Sequence, residues 1–350
     1  MSELPYLVKM LAKASSQLIP IDISLELTHH CNFRCQHCYI PDFSVPNLLT
    51  TERVLSLLDE LAEMGTLYLT LTGGEMFLRK DWYRIAARAR ELGFDLRLFS
   101  NGSTIDEGVA DNVRTLHAKA EVSLYSMDEA IFERITQRQG SFRKTIRGIE
   151  LLRERDVALL LKIPIMVHNT RGYEKVYEYA AKIGAEVRAD ARIVAKKNGD
   201  LVTLKLRADE EELMPFYRDG HTPCSVLEEF EDHGAGEGPL CAAGNRFANI
   251  NSSGEVRACN ILPGVAGTLL THTFREIWEG SPWLEKVRAI RRRDLDPCNT
   301  CTKFSYCGRC HAMALVEDGD ILGLSSSACA HAETLERLHA ERSEQSKESA

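Results

Sequence analysis

No apolar run in the sequence approaches the ~20 residues a helix needs to cross a bilayer, and the first residues lack the basic start and long apolar segment of a secretion signal. The expectation is a cytoplasmic protein that does not engage a membrane. An excess of positive charge is also missing. Lys and Arg number 43 against 51 Asp and Glu, a formal net charge of -8, which argues against a broad phosphate-binding surface and therefore against a nucleic-acid partner. Cysteine is absent between Cys38 and Cys224, yet the chain has 11, with three inside residues 31–38 and four inside 298–310. In a reducing compartment disulfides do not persist, so thiols gathered in this way point to metal or cluster ligation. The remaining composition, 44% hydrophobic and 27% charged over 350 residues, suits one or two globular domains and excludes a disordered or fibrous chain.

From residue 21 onward, short β-like runs alternate with amphipathic stretches, the pattern of repeated βα units around a parallel sheet. It predicts strands at 21–28, 67–71, 96–99, 120–125, 159–167 and 186–194, with a helix after each of the first five. In the first helix Val54, Leu57, Leu58, Leu61 and Met64 recur at helical spacing, and Gly65 stands where a left-handed residue ends a helix. The first strand alternates Ile21, Ile23, Leu25 and Leu27 with Asp22, Ser24, Glu26 and Thr28. A fully covered parallel strand would be apolar throughout, so one face is expected to line an interior with room for a polar ligand. The fold class is therefore α/β, an open, partial (β/α)6 barrel of the TIM type, followed by a small Cys-rich domain. The expected boundaries are an amino-terminal extension at 1–20, the barrel at 21–205, an acidic linker at 206–240, the Cys-rich domain at 241–333, and a charged, frayed tail at 334–350.

Directly after the first strand, Cys31, Cys35 and Cys38 form a C-x3-C-x2-C loop at the end of a sheet where βα barrels place their chemistry. Three thiolates suit an iron–sulfur cube with one iron left for a ligand from outside the protein. Zinc held by the three thiols and His29, His30 or His37, or three unrelated thiols, are the alternatives. The run CNFRCQHCY resembles the cluster loop of the radical S-adenosylmethionine (radical SAM) superfamily. The resemblance implies a 4Fe-4S cluster that binds S-adenosylmethionine and cleaves it to a 5'-deoxyadenosyl radical. Thr72-Gly73-Gly74-Glu75, after the second strand, is similar to the family's GGE motif, which implies that Gly73, Gly74 and the Glu75 carboxylate hold the cofactor's ammonium. Asn101 and Ser123 resemble strand-end positions that contact its ribose or carboxylate. Lys162 and Arg192 are further candidates for the substrate side, and no residue is assigned a catalytic role beyond the cofactor.

The carboxyl-terminal part reads Cys241, Gly254, Cys259, then Cys298-x2-Cys301-x5-Cys307-x2-Cys310, then Cys329. It resembles the SPASM extension found after many radical SAM barrels. That resemblance implies two auxiliary 4Fe-4S clusters with crossed ligation, one on Cys241, Cys259, Cys310 and Cys224, the other on Cys298, Cys301, Cys307 and Cys329. Relatives frequently have three residues, not two, before the fourth cysteine of the dense run, and Cys224 lies unusually far upstream; if it is a bystander, the first auxiliary cluster has an open iron that would allow direct substrate coordination. On the residues alone, an all-cysteine structural zinc site in CNTCTKFSYCGRC is equally compatible.

The function implied by the resemblance is a maturase of a ribosomally synthesised peptide, which abstracts hydrogen to form a crosslink, an epimer or a related change. Its expected partners are a precursor peptide and an electron donor such as flavodoxin or ferredoxin; about twenty residues before the first strand are too few for a recognition module, so the leader is expected either on a separate leader-binding protein or docked directly on the barrel mouth. A sulfatase-type formylglycine maturase is an alternative, but Asn260 stands after Cys259 where those enzymes commonly carry an aspartate, and an amide is no general base. A radical dehydrogenase acting on a small molecule, such as a sugar or heme precursor, and a non-enzymatic cluster carrier complete the set.

Overall fold

The computed structural model describes residues 6–220 and 238–348. Strands β1 (Asp22–Thr28), β2 (Tyr68–Gly73), β3 (Asp95–Ser100), β4 (Lys119–Ser123), β5 (Leu159–Pro164) and β6 (Glu186–Asp190) lie side by side in chain order, and every neighbouring pair is parallel. Helices α1 (Tyr6–Ser16), α2 (Thr51–Glu63), α3 (Trp82–Glu91), α4 (Glu107–Thr115), α5 (Glu129–Thr136), α6 (Ser141–Arg153) and α7 (Glu174–Ile183) precede and connect them. Their packing follows the expected periodicity. In α2, Val54, Leu57, Leu58 and Leu61 are buried, Thr50 caps the amino end through Arg53 N, and Gly65 follows the helix at φ +87°. The six βα units expected at residues 21–194 are present, although the last two strands are shorter than 159–167 and 186–194.

The sheet does not stop at β1. A four-residue strand β7 (Phe247–Ile250) pairs in parallel with Asp22–Leu25, and β8 (Glu255–Arg257) and β9 (Gly267–Thr268) continue it antiparallel. The Cys-rich part is thus joined to the barrel through backbone hydrogen bonds. The amino-terminal helix is held by the same part, since Trp278 Nε1 donates to Leu18 O at 2.6 Å and Asn245 Nδ2 to Ser15 O at 3.2 Å.

Two segments depart from the expected boundaries. Part of the linker expected at 206–240 is helix α8 (Glu210–Arg218). Its acidic start is a capping box, with Glu212 N donating to Asp209 and Asp209 N to Glu212, while Leu213, Phe216 and Tyr217 are buried at i, i+3 and i+4. The start of the charged tail at 334 is not a structural break. The helix Ser326–Glu348 runs through it and buries Ala328, Ala332, Leu335 and Leu338. On the polar face of β1, Ser24, Glu26 and Thr28 are all buried, 4%, 1% and 1% exposed. Polar partners, not open solvent, face them.

Candidate functional site

The loop of Cys31, Cys35 and Cys38 leaves β1 and is pinned to the end of α5, with Arg34 N donating to Thr136 O at 3.1 Å and Gln36 N to Ile135 O at 3.0 Å. A turn from Cys38 N to Cys35 O (3.0 Å) brings the last two cysteines together. The three thiols lie within electrostatic reach of one another. Burial pushes the Cys31 thiol up to about 11 and the Cys35 thiol to about 12, and raises that of Cys38. Backbone N–H groups oppose this. Phe33 N donates to Cys31 Sγ at 3.4 Å, and Ile40 N donates to Cys38.

The same donation from two residues downstream reaches Cys241 from Ala243, Cys259 from Ile261 and Cys307 from Arg309. A buried sulfur that accepts N–H bonds and repels its neighbours is suited to carry negative charge against a cationic centre, and so fits an iron–sulfur cluster. Among the described residues no group of three or more His, Cys, Asp and Glu is disposed to hold one metal ion. A four-iron cube, with one cysteine per iron, does not require that convergence. The nearby imidazoles have other surroundings. His29 Nε2 bonds Glu26 Oε2 at 3.1 Å, His30 is exposed, and His37, held at about 4 by burial, packs edge-on against Tyr125 at 5.0 Å.

Gly73 and Gly74 form a close backbone contact with the start of this loop. A Cβ on Gly73, at φ +142°, would stand 2.2 Å from Thr28 O, and one on Gly74 would stand 2.4 Å from both His29 O and His30 O. Gly74 N donates to Thr28 O at 2.7 Å and Glu75 N to His30 O at 2.8 Å. The Glu75 side chain is wholly buried, accepting from Ser100 Oγ (2.9 Å), Asn101 N (2.8 Å) and Phe77 N (3.2 Å); burial raises its pKa against those donors. Asn101 carries the connection back to the cysteines, donating through Nδ2 to Asn32 Oδ1 at 2.8 Å and lying 3.9 Å from Cys31 Sγ. Asn32 donates in turn to Ser103 Oγ at 2.8 Å.

Glu75 and Asn101 therefore hold the β1, β2 and β3 loops in one arrangement. Ser100, Asn32 and Ser103 complete it, and neither the run SNGS at 100–103 nor Asn32 inside the cysteine loop signals this role in the sequence. The variant Gly74→Ala forces the backbone at 29–30 aside, and overpacking of this kind costs ~1–3 kcal/mol. Thermal denaturation should register a lower midpoint, and equilibrium dialysis a weaker hold on S-adenosylmethionine.

Inside the barrel, Glu26 is bonded by Lys197 Nζ, by His29 and by Asn249 Nδ2 (3.1 Å). Burial alone would raise its pKa, but His29 and Lys197 hold it down at about 2. Lys197 also lies 4.9 Å from the centre of the Tyr39 ring, and its N–H donates to Tyr39 O at 2.9 Å, which ties the end of the cysteine loop to the segment after β6. Ser123 is half-buried at the end of β4, and its hydroxyl bonds Tyr125, whose own hydroxyl lies 3.6 Å from Cys35 Sγ. Lys162 is on the inner face, paired with Glu121 and 4.0 Å from the centre of the Phe99 ring. Arg192 forms a bidentate pair with Asp190 (3.0 and 2.7 Å) and lies beside His331 of the last helix.

The carboxyl-terminal thiols fall into two groups. Cys241 and Cys259 each feel Cys310. Cys307 feels Cys329, Cys298 and Cys301. Burial pushes Cys259 up to about 12 and Cys307 to about 11, and raises Cys241 and Cys329. Cys224 lies outside the described residues.

Residues 25–183 match the family model of the radical SAM superfamily, and residues 241–302 match that of an iron–sulfur cluster-binding domain, SPASM. The chain is 26% identical over 327 residues to an AdoMet-dependent heme synthase of Methanosarcina barkeri, covering 86% of this chain and 93% of that one. It is 27% identical over 339 residues to a PqqA peptide cyclase of Granulibacter bethesdensis, covering 89% and 87%. In fold it is similar to the crystal structure of Streptococcus suis SuiB bound to precursor peptide SuiA, with a TM-score of 0.72, 14% identity, and 94% and 82% of the two chains covered.

Proposed function

The chain belongs to the radical SAM superfamily and carries its SPASM extension, and on that premise we propose that this radical SAM enzyme acts on a peptide, maturing a ribosomally synthesised precursor. Its cofactors are 4Fe-4S clusters and S-adenosylmethionine. When bound and reduced, the first cluster supplies the electron that cleaves S-adenosylmethionine to a 5'-deoxyadenosyl radical, which takes a hydrogen atom from the substrate. In this reading Cys31, Cys35 and Cys38 hold that cluster, the Gly73–Gly74 turn and Ser123 border the nucleotide, and Glu75 with Asn101 fix the loops around it. Buried Phe33, Ile40 and Tyr125 keep water from the thiols.

The observation that carries the peptide reading is the open side of the sheet. Among the described residues β6 ends the strand order and is paired on one side only, and Glu186 to Ala189 alternate exposed with half-buried, so an extended chain can reach the inner face along this edge. The PqqA peptide cyclase and the SuiA-bound SuiB support the same substrate class. The heme synthase similarity favours a second reading, a tetrapyrrole substrate. The formylglycine reading is weakened by Asn260, an amide whose buried Oδ1 has no hydrogen-bond partner among the described residues.

The test is anaerobic incubation of the reconstituted, reduced enzyme with S-adenosylmethionine and a panel of short precursor-type peptides. We expect 5'-deoxyadenosine together with a mass change in a peptide of the panel. Formation of 5'-deoxyadenosine driven by a tetrapyrrole, with the peptides unaltered, would overturn the reading in favour of the second.

A further inference from the structure

We propose that Arg188 is a specificity residue that binds a carboxylate of the substrate at the open side of the barrel; the peptide reading above supplies the substrate class on which this rests. On β6, Val187 and Ala189 pack against the apolar core. Side chains alternate along a strand, so Glu186, Arg188 and Asp190 take the opposite, inner face.

The ionic pairing on that face is specific. Arg97 is paired with Asp22 at 3.1 Å, Lys119 with Glu186 at 2.7 Å, Lys162 with Glu121, and Asp190 with Arg192 at 2.7 Å. Glu121, Glu186 and Asp190 are therefore already matched, and among the described residues Arg188 has no ion-pair or hydrogen-bond partner. It stands opposite Lys162 in the β5–β6 register and lies close enough to repel that ammonium. Lys162 takes the carboxylate of Glu121, and among the described residues Arg188 beside it has none of its own. An incoming carboxylate would supply the missing negative charge, and the planar guanidinium fork accepts one bidentately.

Position links this cation to the chemistry. Ser123, Lys162 and Arg188 form one row across β4, β5 and β6. With strands ~4.8 Å apart, Arg188 lies about 10 Å across the sheet from Ser123, the position placed at the nucleotide. That distance allows an acid anchored at Arg188 to present a neighbouring group, or another part of its own residue, to the cofactor side. Arg188 is exposed on the edge strand, so a large substrate can reach it. The carboxylate could be the side chain of a peptide Asp or Glu, or a propionate of a tetrapyrrole, and the experiment separates them.

The full chain, reconstituted and loaded with S-adenosylmethionine, is used to select from a displayed library of random peptides fused at both ends, so that no terminal carboxylate is free. Wild type should enrich Asp and Glu about tenfold, the equivalent of one charge-assisted contact. Arg188→Gln should lose the enrichment, Arg188→Lys should retain part of it, and Arg188→Glu should select Lys and Arg instead. Iron content and circular dichroism verify that the exposed substitutions leave the fold intact. In parallel, coproporphyrin, a tetrapyrrole bearing four propionates, is titrated against wild type and Arg188→Gln.

Binding of coproporphyrin that requires Arg188, with no peptide recovered, would support the carboxylate site and overturn the peptide reading. Acidic peptides recovered equally by wild type and Arg188→Gln would overturn the role of Arg188 and leave the peptide reading standing. Neither acidic enrichment nor Arg188-dependent coproporphyrin binding would reject the site.

Discussion

The variant Cys35→Ala is expected to form no detectable 5'-deoxyadenosine and to bind about four fewer irons per chain than wild type after reconstitution, one cube's worth. Cys35 is the middle thiol of the loop, bonded to the Tyr125 hydroxyl and within reach of both Cys31 and Cys38. An alanine leaves two thiols, too few to hold a cube that must also keep one iron open for the nucleotide. The loop's backbone is fixed independently of that side chain, through Arg34 and Gln36 to the end of α5, so the variant should fold and retain its carboxyl-terminal iron. Iron and sulfide analysis, together with chromatography of the nucleotide products, reads both effects. A variant that keeps its full iron content and still cleaves S-adenosylmethionine would remove Cys35 from the site.

The sequence made the barrel legible because its strands are local, alternating runs, each followed by a helix with its own apolar stripe. The joining of the two halves was not legible. β7 is the four-residue run FANI, which has no periodicity of its own and becomes a strand only because β1 offers an unpaired edge 225 residues away, as between Ser24 and Asn249. Helix α8 was hidden for the opposite reason, since its three consecutive glutamates resemble a solvated loop until the reciprocal Asp209–Glu212 bonds are seen.

In the site, the cysteines stand out by residue type and spacing, whereas the Gly-Gly-Glu run was singled out by its resemblance to the family's motif. Glu26 and Lys197 could not be paired, because the contact spans 171 residues and lysines in charged loops are usually solvated. Arg188 was unremarkable in sequence for the same reason. Its meaning comes from the register that sets it beside Lys162 and from the pairing of Glu121, Glu186 and Asp190 with other cations.

The auxiliary thiols supply the second large effect. Cys307 and Cys310 are only three residues apart, yet they face different groups, Cys310 with Cys241 and Cys259, Cys307 with Cys298, Cys301 and Cys329. If each group holds its own cluster, Cys307→Ala and Cys310→Ala should each lose about four irons, but from different centres, with different components missing from the electron paramagnetic resonance spectrum of the reduced protein. Their structural consequences should differ as well. Between Cys298 and Cys310 the chain forms only the short turns Cys298–Thr300 and Phe304–Tyr306, so little regular structure remains there when ligation is lost, and metal binding supplies folding free energy. Cys307→Ala should therefore open 298–329 to limited proteolysis while the barrel resists. Cys310→Ala should loosen the segment around Cys241 and Cys259, which β7 still anchors to β1. Identical spectra and identical cleavage maps for the two variants would show that the seven thiols serve one centre, and zinc in place of iron in both would return this region to a structural metal site.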